Sequence, residues 1–169
     1  MMAMTRLRIL LVVMVALVGL TTVPAVALAT TTVTYGVSGL EYAATPSVGS
    51  FAGAAVATDD VGTWQATVVH GSLPTTPGGT APVTGGSFAL NGQRRDLAGA
   101  VDGGTITLLT TSSCGRETYS VTGHLVLAPI GTGAASFGML LTHYRLRFFG
   151  RCITYGATVQ GSVTFQLSA

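Results

Sequence analysis

Residues 153–168, ITYGATVQGSVTFQLS, decide the fold class. The odd-numbered positions carry Ile, Tyr, Ala, Val, Gly, Val, Phe and Leu, whereas the even-numbered positions carry Thr, Gly, Gln or Ser. Such alternation predicts a long β-strand, or one bent at a glycine, with one buried face and one wet face.

The preceding residues 140–149 alternate in the same way. Leu140 begins one face of this segment, and the other face carries Leu141, His143, Arg145 and Arg147. A short turn at residues 150–151 would join the two segments, so they predict an antiparallel hairpin.

Further β-like runs fill the rest of the chain, separated by clusters of Gly, Pro, Ser, Asn and Asp. The sequence therefore predicts an all-β domain of about eight or nine mainly antiparallel strands. We expect a closed β-barrel, which leaves no exposed sheet edges, with a β-sandwich as the alternative. The other predicted strands cover residues 31–42, 51–57, 63–70, 83–90, 97–101, 105–111 and 117–128. The last of these alternates clearly, with Tyr119, Val121, Leu125 and Leu127 predicted to point inward and His124 outward.

Composition supports this class and excludes others. The 169 residues are 48% hydrophobic and only 8% charged, which is the reverse of a disordered chain. The absence of lysine argues against a coiled coil, and with the wealth of Ala, Gly, Val, Thr and Arg it indicates a bacterial source of high GC content.

Residues 1–29 have the order of a secretory signal peptide. Arg6 and Arg8 precede an apolar run, and Ala27-Leu28-Ala29 supplies a small-x-small cleavage site. We expect a secreted or extracytoplasmic protein whose single domain spans residues 30–169. The alternative is a chain that stays anchored by an uncleaved N-terminal segment.

Without the signal segment, six arginines balance six acidic residues. A neutral domain lacks the positive field that attracts phosphate backbones, so we expect no nucleic-acid partner. We also expect no membrane contact after signal cleavage. Cys114 and Cys152 are the two cysteines of the sequence, and in an oxidising compartment they predict one disulfide.

The sequence offers little for catalysis or for a metal. His70, His124 and His143 show no zinc-binding spacing, and no Gly-x-Ser-x-Gly motif is present. We therefore expect no catalytic residue, no metal ligand and no cofactor. The histidines are most simply solvated, and the alternative is that His124, His143, Glu117 and the arginines converge on one polar site.

Arg145 and Arg147 are the most suggestive charged pair. Side by side on one strand, and followed by Arg151, they could hold a carboxylate, sulfate or phosphate. The alternative is an ordinary solvated strand face that discourages edge pairing.

Gly62-Thr63-Trp64 opens a predicted strand and resembles the Gly-x-Trp signature of lipocalins and other calycins. That resemblance implies a secreted antiparallel barrel with a small ligand in its mouth. The match covers three residues, and two predicted strands precede it where the lipocalin pattern has none. Trp64 alone is most simply a core residue.

These observations predict a secreted, non-catalytic β-barrel that binds a small, partly apolar molecule. The alternatives are a structural or protein-interaction role at the envelope or outside the cell, such as inhibition of a secreted enzyme, and a barrel enzyme with few acid–base groups. The partner is then a small molecule or an extracellular protein. The candidate ligand-binding residues are Trp64, His143, Arg145 and Arg147.

Overall fold

The computed structural model of the protein describes residues 29–129 and 132–168. These residues form eight antiparallel strands and no helix. Within this described part, no helix is long and apolar enough to cross a membrane. The strands are β1 (Thr30–Thr45), β2 (Val48–Val56), β3 (Val61–His70), β4 (Thr80–Gly92), β5 (Asp96–Thr111), β6 (Arg116–Ala128), β7 (Gly133–Phe148) and β8 (Arg151–Ser168).

The strands close into a barrel in sequence order, because β8 pairs with β1 along eleven residue pairs. This confirms the predicted closed antiparallel barrel and sets the strand number at eight. Residues 1–28, which hold almost all of the predicted signal peptide, lie outside the described residues.

Two of the predicted strands form a single continuous strand in the structure. Residues 97–101 and 105–111 both belong to β5, and the pairing with β6 shifts register between Val101 and Gly103. Gly103 adopts a φ of 150°, which glycine tolerates and other residues rarely do. The glycine pair therefore bends a continuous strand and does not end it.

Apolar side chains fill the barrel. The predicted inward residues of β6 are all buried, and Trp64, Ala66 and Val68 are buried on β3 as their alternation predicts. Trp64 stacks on Phe88 with ring centroids 6.3 Å apart, and Phe165 contacts both Phe88 and Tyr35 at 5.9 Å. The inward residues of β6 are Tyr119, Val121, Leu125 and Leu127.

One end of the barrel, called the base here, carries the turns after β2 and β4. Asp60, in the β2–β3 turn, has a fully buried side chain that accepts hydrogen bonds from the Tyr35 hydroxyl at 2.7 Å and the Arg94 backbone N–H at 3.0 Å. Asp59 beside it is held by the two terminal nitrogens of Arg95, at 2.7 and 3.1 Å. Asp59 and Asp60 thus bind two turns of the base together.

The opposite end, called the mouth, carries the turn after β1, the loops after β3 and β5, and the β7–β8 hairpin. The predicted disulfide between Cys114 and Cys152 lies here, with 5.5 Å between the two Cα atoms, and it joins the β5–β6 loop to the start of β8. The disulfide is compatible with an extracytoplasmic location. The hairpin turns at Phe149 and Gly150, one residue earlier than predicted.

Candidate binding site

The inward faces of three strands change from apolar to polar where they reach the mouth. On β1, Glu41 continues the inward alternation of Tyr35 and Val37; on β6, Glu117 precedes the buried Tyr119. On β7, His143 and Arg145 follow the buried Leu141. Because alternate residues of a strand share a face, these side chains meet above the apolar core. Together they form the mouth cluster: Glu41, Glu117, Tyr119, His143 and Arg145.

Glu117 is the acceptor at the centre of one half of the mouth cluster. Its carboxylate forms an ion pair with the Arg145 guanidinium and accepts hydrogen bonds from the Tyr119 hydroxyl at 3.2 Å and the Thr111 hydroxyl at 3.3 Å. A charge-assisted arrangement of this kind fixes the position of each donor.

Glu41 and His143 form the other half. The His143 Nε2 lies 3.0 Å from a carboxylate oxygen of Glu41, and both side chains are about nine-tenths buried. Gly49 makes room for this pair, since a Cβ atom at Gly49 would lie 2.8 Å from Glu41 Oε1 and 2.7 Å from the Phe51 ring. The His143 ring also packs edge-on against Tyr119, with centroids 5.5 Å apart.

Tyr119 is held in its neutral, hydrogen-donating form. Burial, and then the negative charge of Glu117, raise the pKa of Tyr119 to about 12. The phenol therefore stays protonated at all physiological pH values and keeps donating to Glu117.

A pocket of about 620 Å³ opens beside the mouth cluster. Its volume lies in the range of roughly 300–1,000 Å³ that is typical of small-molecule sites. The wall combines apolar groups of the β3–β4 loop, hydroxyls of the β5–β6 loop and four members of the mouth cluster. The residues involved include Leu73, Pro74, Thr111, Ser112, Ser113, Glu117, Tyr119, His143, Arg145 and Thr154.

The barrel interior offers far less room. An apolar cavity of about 30 Å³ lies among residues that include Trp64, Phe88 and Phe137. That is the space of roughly one water molecule, and an apolar cavity of this size gives water no hydrogen-bond partner. A small organic ligand therefore has room at the mouth and none inside.

The structure separates the candidate ligand-binding residues. His143 and Arg145 lie together in the mouth pocket with Glu117. Trp64 lies in the core, where its indole N–H donates to the Ser38 carbonyl at 3.2 Å, and Arg147 lies exposed on the hairpin beyond the mouth.

The proposed convergence of the histidines and arginines is therefore partial. His124 lies on the outer face of β6, as its alternation predicts. The expectation of solvated histidines was wrong for His143, which pairs with Glu41, and for His70, which is buried with its Nδ1 2.7 Å from the Gly71 carbonyl oxygen.

Glu41 and Tyr119 were missed as site residues. Both stand at inward positions of predicted strands, and Glu41 is a charged residue that continues an apolar face. A charge at such a position is expensive to bury without a partner, so it signals a polar cluster at the strand end.

The cluster can accept and donate hydrogen bonds to a ligand, and its charges are already paired. Among the described residues, no three His, Cys, Asp or Glu side chains are placed to hold a metal ion.

The fold and the site together define a closed eight-stranded antiparallel β-barrel with an apolar, nearly filled interior and a polar pocket at one end. Comparison with family models, curated proteins and solved structures gives no match for this chain.

Proposed function

We propose that the protein is an exported, non-catalytic barrel that binds a small, partly apolar molecule at its mouth. The observation that carries the proposal is the mouth pocket, an open depression in which apolar and hydrogen-bonding groups lie side by side. The predicted signal peptide and the disulfide support export.

The pairing within the mouth cluster indicates the kind of ligand. Glu117 is satisfied by Arg145 and Tyr119, and Glu41 by His143. An ionic ligand would have to break one of these pairs and lose its own hydration, which costs more than the contact returns. A neutral molecule with one hydrogen-bonding group and one apolar face fits the pocket better.

The absence of catalysis is part of the proposal. His143 is paired with Glu41 at the edge of the pocket, and His124 lies on the outer wall of the barrel, away from it. The hydroxyls that line the pocket belong to Tyr119, Ser112, Ser113 and threonines, and within the described residues no hydrogen bond joins any of them to His143.

Native mass spectrometry of the protein purified from an exported fraction tests the proposal. We expect a bound small molecule that is lost on denaturation. Thr154→Trp, which fills the pocket, should abolish the extra mass, whereas Thr122→Trp on the outer wall of β6 should retain it. An unliganded wild-type mass, together with no binding from a screen of small neutral compounds, would contradict the proposal.

A second candidate function is a structural or protein-interaction role outside the cytoplasm, including inhibition of a secreted enzyme. The nearly filled interior favours it, as does the β3–β4 loop, which lies beside the mouth and exposes Pro77 to partners. The absence of any bound mass on the wild type and on both tryptophan variants would favour this role.

A further inference from the structure

The β7–β8 hairpin projects beyond the barrel as a narrow two-stranded finger, defined here as residues 146–155. Nine of its ten residues are exposed, and Cys152 is the exception. Leu146 pairs with Ile153 and Phe148 pairs with Arg151 across the finger. The projection is therefore an ordered extension of the sheet.

Several contacts brace the finger where it joins the barrel. The Cys114–Cys152 disulfide ties it to the β5–β6 loop, and the Arg145 backbone N–H donates to the Gly115 carbonyl at 2.7 Å. The Arg116 guanidinium lies 5.7 Å from the centre of the Tyr144 ring. A braced finger loses little conformational entropy when it binds.

Large apolar side chains are concentrated on the finger. Of thirteen exposed large hydrophobic residues in the described chain, five lie within these ten positions, and the other eight are distributed over six strands of the barrel. Scattered apolar residues are ordinary on a protein surface, but a contiguous group marks an interaction site. The five are Leu146, Phe148, Phe149, Ile153 and Tyr155.

The tip of the finger exposes a large aromatic side chain in a strained backbone conformation. Phe149 is 90% exposed and adopts a φ of 46°, in the left-handed region where bulky residues are rare. Asn or Gly would form this two-residue turn with less strain. The Phe148 and Phe149 rings contact each other edge to face at 4.5 Å, so the tip presents an aromatic pair to its surroundings.

The charge around the aromatic pair is positive. Arg147 and Arg151 are exposed on the finger, and Arg116 is exposed where the finger joins the barrel. No acidic residue follows Glu117 in the sequence, and Glu117 is paired with Arg145. Within the described residues, neither Arg147 nor Arg151 forms a salt bridge.

We infer that the finger inserts its aromatic tip into the surface of a bilayer that contains anionic phospholipid. Aromatic side chains partition into the boundary between headgroups and acyl chains, and flanking arginines remain at the level of the phosphates. A convex, narrow tip can enter a deformable lipid surface without a preformed partner site. A protein partner would instead need a matching acidic pocket. Peripheral contact of this kind differs from the sequence-based expectation of no membrane contact, and it does not depend on the mouth pocket.

Sedimentation of the full exported chain with vesicles tests the inference. The vesicles are phosphatidylcholine alone, or phosphatidylcholine mixed with phosphatidylglycerol. We expect the protein to bind the mixed vesicles more tightly. Phe149→Asn should weaken binding about tenfold or more, because it removes a buried aromatic ring. Asn also suits the left-handed turn, so thermal unfolding should show that the variant is folded.

Charge variants test whether the arginines of the finger contribute to binding of anionic vesicles. Arg147→Gln and Arg151→Gln should each weaken binding to the mixed vesicles about fivefold. Leu109→Ser on the wall of β5 and Arg94→Gln at the base are the matched controls, and both should bind like the wild type. Equal binding to both vesicle types, binding unaffected by Phe149→Asn, or no binding at all would overturn the inference; the last result would favour a protein partner for the finger.

Discussion

The two ends of the barrel use the same residue types for different purposes. Each end holds a carboxylate that accepts a hydrogen bond from a tyrosine and lies close to an arginine. At the base, Asp60 also accepts from the backbone of the next turn, so the polar groups close the end of the barrel. At the mouth, the polar groups border an open pocket.

The pKa values at the two ends differ in a way that follows from this contrast. At the base, the hydrogen bond from Tyr35 lowers the pKa of Asp60 and favours the carboxylate. At the mouth, burial raises the pKa of Tyr119 to about 12 and favours the neutral phenol. The base thus contains the buried Asp60 carboxylate with its hydrogen-bond donors. The mouth contains a neutral donor, the Tyr119 phenol, beside a pocket.

The largest expected effect concerns the mouth. Replacing both cysteines, Cys114→Ser with Cys152→Ser, should lower the free energy of unfolding by about 4 kcal/mol, because a crosslink over 38 residues restricts the unfolded chain. Urea unfolding measures the loss, and reduction of the wild type should reproduce it. Hydrogen exchange in the folded state should increase around the finger and stay unchanged at the base. Equal loosening of both ends would contradict the contrast.

Tyr35→Phe tests the base. It removes a hydrogen bond to a buried carboxylate, and the free energy of unfolding at neutral pH should fall by about 2 kcal/mol. Tyr42→Phe, at an exposed tyrosine of the same strand, should leave stability unchanged.

The same variant has a defined pH dependence. Because the pKa of Asp60 is lowered in the folded state, its contribution is present above the ordinary value of 3.8 and is lost as the pH falls through the lower folded value. The gap in stability between the wild type and Tyr35→Phe should therefore shrink at acidic pH. A gap that stays constant in acid would show that the Tyr35 hydroxyl does not favour the charged form of Asp60.

Gly49→Ala tests whether the Glu41–His143 pair depends on the space at Gly49. The added methyl group would overlap the Glu41 carboxylate and the Phe51 ring, so unfolding free energy should fall by about 1 kcal/mol or more. Gly156→Ala, on β8 near the mouth, meets no atom within 4 Å and serves as the control. Similar stabilities for the two variants would mean that the Glu41 side chain moves aside at no cost.

The last prediction concerns the raised pKa of the Tyr119 phenol. The difference between the ultraviolet titrations of the wild type and Tyr119→Phe should show one phenol with a midpoint near pH 12. Since the pKa is raised in the folded state, the stabilisation is complete below the ordinary value of 10.0 and is lost as the pH rises through about 12. A midpoint near 10 would place Tyr119 in water and contradict its burial.

The sequence predicted the barrel because alternation determines which face of a strand is buried. The inward positions of β6 and the outward position of His124 follow from that rule alone. The bend in β5 was mistaken for a strand boundary, since Gly103-Gly104 has the composition of a turn and only pairing with β6 reveals continuity.

The site was predicted in part for the same reason. His143 and Arg145 were placed on one face correctly, but Glu41 lies 102 residues from its partner His143. No local pattern specifies a contact between β1 and β7, because closure of the barrel creates it. Arg147 alternates with Arg145 in the sequence, yet it projects beyond the mouth because the hairpin is longer than the barrel wall.

Nuclear magnetic resonance of the exported protein, before and after removal of any bound molecule by unfolding and refolding, tests the central claim most directly. We expect resonance changes to be confined to mouth residues such as His143, Tyr119 and Ser113. The indole N–H of Trp64, the single tryptophan, reports on the interior and should not change. A shift of the Trp64 resonance with an unchanged mouth would place the ligand inside the barrel and contradict the account.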